Sequence, residues 1–132
     1  MMLYLLDTNY ASGLFQKLPK PQARVGSATG DIFLLCRPSI GELWFMVFNS
    51  SRVEENERDL LRFLETFDQH EYDAGAAIEF GRIKSELRRI GRPIPDVDVQ
   101  IAAVARAHGL TLLTADAHFA FVEGLKIENW LQ

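Results

Sequence analysis

Four apolar residues, Leu3-Tyr4-Leu5-Leu6, run together near the start of the chain and stop at Asp7. A short continuous apolar run predicts a strand buried on both faces, the kind found inside a parallel sheet. Ile32-Phe33-Leu34-Leu35-Cys36 and Thr111-Leu112-Leu113-Thr114 have the same character. Residues 125–130 read as a last, edge strand, and His70-Glu71-Tyr72 as a short, weak one. Helical spacing fills the intervals. Residues 10–16 form a short helix that Pro19 and Pro21 end, with loop from there to Gly30. Pro38-Ser39 opens a helix in which Ile40, Leu43, Trp44, Val47 and Phe48 face the core, while Phe45 and Met46 lie off that face. Residues 53–67 and 74–90 are further helices, the second closed by Gly91. After the stiff connector Arg92-Pro93-Ile94-Pro95, a helix of small and apolar residues runs to Gly109, a usual C-terminal stop. Strands alternating with helices predict an α/β fold, a three-layer αβα sandwich around a central parallel sheet.

That reading gives four acids one structural address. Asp7 follows the first strand and Asp116 follows the strand at 111–114. Glu42 and Asp98 lie in the first turns of helices. Strand ends and helix starts fall on the same edge of a parallel sheet, where open α/β folds bind their ligands. Each acid also has a local role open to it. Asp7 suits a helix cap, and Ser39-x-x-Glu42 is a capping-box pattern. Asp98 complements a positive helix end, and Asp116 suits the cap of a short turn. Capping alone does not call for four acids on one edge without basic partners. Clustered carboxylates repel, and the ions that commonly relieve them are Mg²⁺ and Mn²⁺, which prefer hard oxygen ligands.

Bulk properties narrow the field. A length of 132 residues fits one domain, residues 1–132. The formal net charge of -4 excludes a global basic field, so any nucleic-acid contact rests on a local patch or on metal ions. Lys84, Arg88 and Arg92, spaced by four, supply such a patch as nucleic-acid phosphate contacts, or else form a solvated helix face. The single cysteine, Cys36, excludes an intrachain disulfide and fits a cytoplasmic protein. No run approaches a membrane span, and the first apolar run is too short for a signal-peptide core. His70, His108 and His118 show no paired spacing, and His118 reads as a surface residue.

Four motifs in register resemble the PIN domain, and most of all the VapC-type ribonuclease toxins of toxin–antitoxin pairs. They are Leu5-Leu6-Asp7-Thr8-Asn9, Pro38-Ser39-Ile40-Gly41-Glu42-Leu43, Asp98-Val99-Gln100-Ile101-Ala102-Ala103 and Leu113-Thr114-Ala115-Asp116-x-x-Phe119. The resemblance implies an acidic tetrad of Asp7, Glu42, Asp98 and Asp116, supported by Asn9 and Thr114. Asp96 competes with Asp98, and the Ile101-Ala102-Ala103 match favours Asp98. It implies Mg²⁺, with Mn²⁺ as a substitute, held chiefly by Asp7 and Asp98, with Asp116 and Glu42 completing the site directly or through water. It implies hydrolysis of RNA by a metal-activated water, a homodimer, and a small VapB-type antitoxin, with Phe45 and Met46 as a surface for a partner or for another helix of the chain. The alternative within the family is a catalytically inactive PIN-like module that binds RNA or protein. Outside it, a haloacid-dehalogenase phosphatase needs an acid where Asn9 stands. A receiver module needs paired acids at the first strand and a late lysine where Asp116 stands.

Overall fold

The computed structural model describes residues 2–27 and 30–129. Five strands form one sheet: β1 (Leu3–Leu6), β2 (Ile32–Cys36), β3 (Asp68–His70), β4 (Thr111–Leu113) and β5 (Lys126–Glu128). Their order is β3-β2-β1-β4-β5 and every pairing is parallel. β1 is central, with Leu5 opposite Leu34 on one side and Leu112 on the other. The topology reverses between β1 and β4, and this is the crevice where the open edge of such a sheet accepts a ligand.

The strand period of two sorts side chains between two helical layers. Leu5, Leu34, Leu112 and Ile127 pack on one face, against α5 (Ala74–Arg89) and α6 (Asp96–His108). Tyr4, Leu6, Phe33, Leu35 and Leu113 pack on the other, against α1 (Thr8–Phe15), α3 (Arg37–Phe48) and α4 (Val53–Glu65). This is the three-layer sandwich expected from the alternation of elements. On α6 the small residues Ala102, Ala103 and Ala105 are fully buried, and Gly109 closes the helix at φ 65°, a conformation that favours glycine.

Four local expectations are corrected. The stretch after Pro19 is not loop but α2 (Pro19–Ser27). Both prolines stand in its first turn, where backbone N–H groups have no intrahelical acceptor to lose, so Pro starts this helix and ends nothing. α2 sits close to α1: a Cβ on buried Gly13 would lie 3.2 Å from Pro21 Cγ. The capping box at Ser39 does not form. α3 begins two residues earlier, so Ser39 is a buried interior residue with its Oγ 3.5 Å from Cys36 Sγ. Phe48 is 60% exposed, stacked only on Trp44 at 5.6 Å, because the buried arc of α3 is the narrower set Ile40, Leu43 and Val47. The weak strand is centred two residues before His70-Glu71-Tyr72, and Trp130, assigned to the last strand, lies outside the described residues.

Neighbouring positions on α3 should therefore respond oppositely. Leu43→Ala removes a fully buried side chain and is expected to cost about 2–5 kcal/mol in urea unfolding. Phe45→Ala, at a site 69% exposed, should stay within about 0.5 kcal/mol.

Candidate functional site: an acidic cleft at the switch point

β1 and β4 deliver their C-terminal residues side by side. The ladder extends past both strands: Asp7 N–H donates to Leu113 C=O at 3.2 Å, and Thr114 N–H donates to Glu128 C=O at 3.1 Å. This fixes the backbone of Asp7 next to that of Thr114. The Asp7 side chain then does two things. Its Oδ1 accepts from Tyr10 N–H at 2.7 Å and caps α1, while its Oδ2 accepts the Thr114 hydroxyl. Asp7 thus caps α1 with one oxygen and meets the end of β4 with the other. Thr114 Oγ1 in turn accepts from Asp116 N–H at 3.0 Å, so one hydroxyl holds two acidic residues.

Glu42 enters from the second turn of α3. Its Oε1 accepts from Thr8 Oγ1 at 2.5 Å, a bond that ties α3 to the start of α1. Asp98 enters from the first turn of α6, where no side chain caps the helix. All four acids, with Thr8, Asn9, Pro95 and Val97, line one cleft of about 320 Å³. Asp96 also reaches this cleft, but it is held away by Lys84 Nζ at 3.0 Å and is 64% exposed, whereas Asp98 turns inward.

Sequence reasoning missed two contributors. Thr8 is the hydroxyl that orients Glu42; its only sequence signal is adjacency to Asp7. His118 is half-buried, not a surface residue. Its Nε2 lies 3.1 Å from Asp98 Oδ2 and its Nδ1 lies 3.4 Å from Asp116 Oδ1. The signal was its place two residues beyond Asp116, inside the short 3-10 helix Ala117–Phe121 that fully buried Phe119 pins to the core. The basic set is less regular than its spacing suggests. α5 ends at Arg89, so Arg92 lies beyond the helix and stacks over the Phe121 ring at 4.8 Å. Lys84 and Arg88 flank an apolar crevice of about 280 Å³ built on Leu87, Ile94 and Val99.

The electrostatics are those of crowded carboxylates. Burial pushes the Asp7 carboxyl above its ordinary range. The bonds from Thr114 and Tyr10 pull it back in part, and the charges of Asp116 and Asp98 push it further up. Asp98 is also raised, first by burial, then by Glu42 and Asp116, against the opposing pull of His118. Among the described residues no Lys or Arg pairs with any of the four acids. A set of carboxylate oxygens oriented by hydroxyls and lacking fixed cations fits a divalent metal ion of the Mg²⁺ or Mn²⁺ class. The donor atoms of Asp98, Asp116 and His118 lie within 4.8 Å of one another, which suits one shared cation.

Known proteins resemble this chain over nearly its whole length. The PIN domain profile matches residues 4–125. A tRNA(fMet)-specific endonuclease VapC of Shigella flexneri is 30% identical over 131 residues, covering 98% of this chain and 99% of its own. Ribonuclease VapC2 of Haemophilus influenzae is 30% identical over 132 residues, covering 99% and 100%. The structure of VapBC2 from Rickettsia felis bound to a promoter DNA fragment superposes with a TM-score of 0.90 at 27% identity, covering 98% of this chain and 99% of that one.

The raised carboxyls have a signed consequence. An acid whose folded pKa is raised binds more protons folded than unfolded, so stability falls as pH rises from the unfolded Asp value of about 3.9 through the raised folded value. In EDTA the melting temperature should decline across this window. Asp7→Asn keeps a capping oxygen and removes the charge. It is expected to flatten that decline and to melt above wild type at neutral pH, as read by calorimetry at several pH values.

Proposed function

The chain belongs to the PIN-domain family, among the VapC ribonucleases, and from that premise we propose that it is a metal-dependent endoribonuclease, the toxin of a toxin–antitoxin pair. The observation that carries this reading is the convergence of Asp7, Glu42, Asp98 and Asp116 on one cleft at the β1/β4 switch point.

In this reading Asp7 and Asp98, on the two walls of the cleft, hold a Mg²⁺ or Mn²⁺ ion, and Asp116 and Glu42 complete the site directly or through water. The ion supplies Lewis acidity, lowering the pKa of a water and neutralising charge on the scissile phosphate. The protein's part is positioning. Thr114 and Tyr10 N–H hold the Asp7 carboxylate in one orientation, and Thr8 does the same for Glu42. Preset carboxylates avoid the entropy of ordering four side chains around an ion. Asn9, exposed at the rim, is placed to contact the RNA backbone. Lys84, Arg88 and Arg92 extend the contact beyond Pro93–Pro95, and they supply positive charge that the acidic cleft itself lacks.

The partner reading follows from the same relatives. A VapB-type antitoxin fits the surface between α1, α3 and α4, an open groove of about 600 Å³ lined by Leu14, Phe15, Met46 and Phe63. Met46 thus meets its own chain and contributes to a groove, while Phe45 stands free on α3 for an antitoxin or a second protomer of a homodimer. No helix among the described residues is long and apolar enough to cross a membrane. An RNA substrate and a free, buried Cys36 support action in the cytoplasm.

Hydrolysis by water, without a ribose 2′-hydroxyl, should leave 5′-phosphate and 3′-hydroxyl ends. End-mapping of cleaved cellular RNA checks this, and EDTA should abolish cleavage. Loss of a supporting hydrogen bond to a metal ligand costs about 10–100-fold, so Thr114→Val should lose activity by that factor and Asp98→Asn by more. Cyclic phosphate ends, or cleavage that survives chelation, would refute the mechanism.

A second measurement concerns the basic set. Replacing Lys84, Arg88 and Arg92 together by Ala should weaken RNA binding regardless of sequence. With about 0.7 log units of slope per phosphate on single strands, it should also flatten the log–log salt dependence by about 2. An unchanged slope would make these residues a solvated face.

A further inference from the structure

His118 adjoins the cleft through Asp98 and Asp116, and the four carboxylates do not account for its chemistry. It contributes both ring nitrogens to the site, one toward Asp98 and one toward Asp116. Carboxylates only accept hydrogen bonds, and a neutral imidazole has one N–H and one bare lone pair. A neutral ring between two carboxylates therefore satisfies one of them and turns a lone pair toward the other. The mismatched atom is identifiable. Nε2 is buried and makes no aligned hydrogen bond, although Asp98 Oδ2 lies only 3.1 Å away. Phe119, fully buried beside it with ring centroids 4.8 Å apart, holds the ring in place, so the contact is built into the 3-10 turn.

Building on the metal-ion reading above, we propose that His118 Nε2 is a direct ligand of the divalent cation beside Asp98, with Asp116 as the carboxylate behind Nδ1, and that this nitrogen makes the site favour Mn²⁺ over Mg²⁺. A cation between Nε2 and Asp98 Oδ2 would give both atoms a partner. Nδ1–H then faces Asp116 Oδ1, the arrangement in which a carboxylate fixes the tautomer of a metal-bound imidazole. An imidazole donor raises affinity for first-row transition ions far more than for Mg²⁺, which keeps to oxygen and to its waters. The competing arrangement is an imidazolium that pairs with both acids as a built-in counterion and touches no metal.

The test uses Mn²⁺ itself as the probe on the full chain, with electron spin-echo modulation as the readout. Wild type loaded with substoichiometric Mn²⁺ should show ¹⁴N coupling from a directly bound imidazole, replaced by a ¹⁵N signal after histidine labelling. His118→Gln should lose the coupling. Its Mn²⁺-over-Mg²⁺ affinity ratio should fall at least the ~10-fold that loss of a partner one shell further out costs. Labelled wild type needs no variant, so a folding defect in His118→Gln does not blunt the result. Mn²⁺ that binds without nitrogen coupling, or coupling that survives in His118→Gln, overturns the proposal and leaves the carboxylate site standing. If wild type binds no Mn²⁺, the metal-site reading falls and this proposal falls with it.

Discussion

The hydrogen bond from the Thr114 hydroxyl to Asp7 joins the ends of β1 and β4, and the site depends on it. These two strands are adjacent and parallel, so their last residues emerge at the same height with about one strand spacing between them. The topology also reverses there, which leaves the edge open. A carboxylate at that point is close to its neighbour's terminal residues whatever the intervening sequence does. Thr114 takes up this proximity. Its side chain donates to Asp7 and accepts from the Asp116 backbone, so two distant acids share one small anchor.

Around that anchor the site trades solvation for position. Asp7 is almost fully buried without a cation, held by a backbone N–H and a hydroxyl alone. Such bonds orient a carboxylate but only partly replace its lost hydration, which is why its proton affinity still rises. The cations that could relieve it are committed elsewhere. Arg106 bridges α6 to Glu79 and Glu86 on α5, Arg37 pairs with Glu71, and Lys84 holds Asp96. The distribution is consistent: positive charge fastens the helices, and the edge of the sheet keeps its negative charge. A permanent Arg in the cleft would stabilise the fold and obstruct the ion.

Helix starts serve this arrangement more than helix stability. Asp98 stands in the first turn of α6, yet no side chain caps that helix. Glu42 turns away from the end of α3 toward Thr8. In both helices the acid that a capping argument would use locally is directed across the cleft. At α6 a side-chain cap worth about 1 kcal/mol is absent.

The sequence by itself determined the layers, the central strand and the convergence of four acids on one edge. It could do so because apolar runs, helical spacing and strand ends are local patterns, and parallel topology converts them into a common edge. It misread Pro19 and Pro21, since Pro starts a helix as readily as it stops one and only the backbone tells which. It misread Ser39-x-x-Glu42, because the helix began earlier at Arg37 and Glu42 found Thr8 across the fold. It placed Arg92 on a helix face that ends before it. It saw no role for His118, whose meaning lies in Asp98, twenty residues away in sequence and 3.1 Å away in space. Those outcomes belong to side chains meeting across elements, and periodicity carries no information about which of them meet.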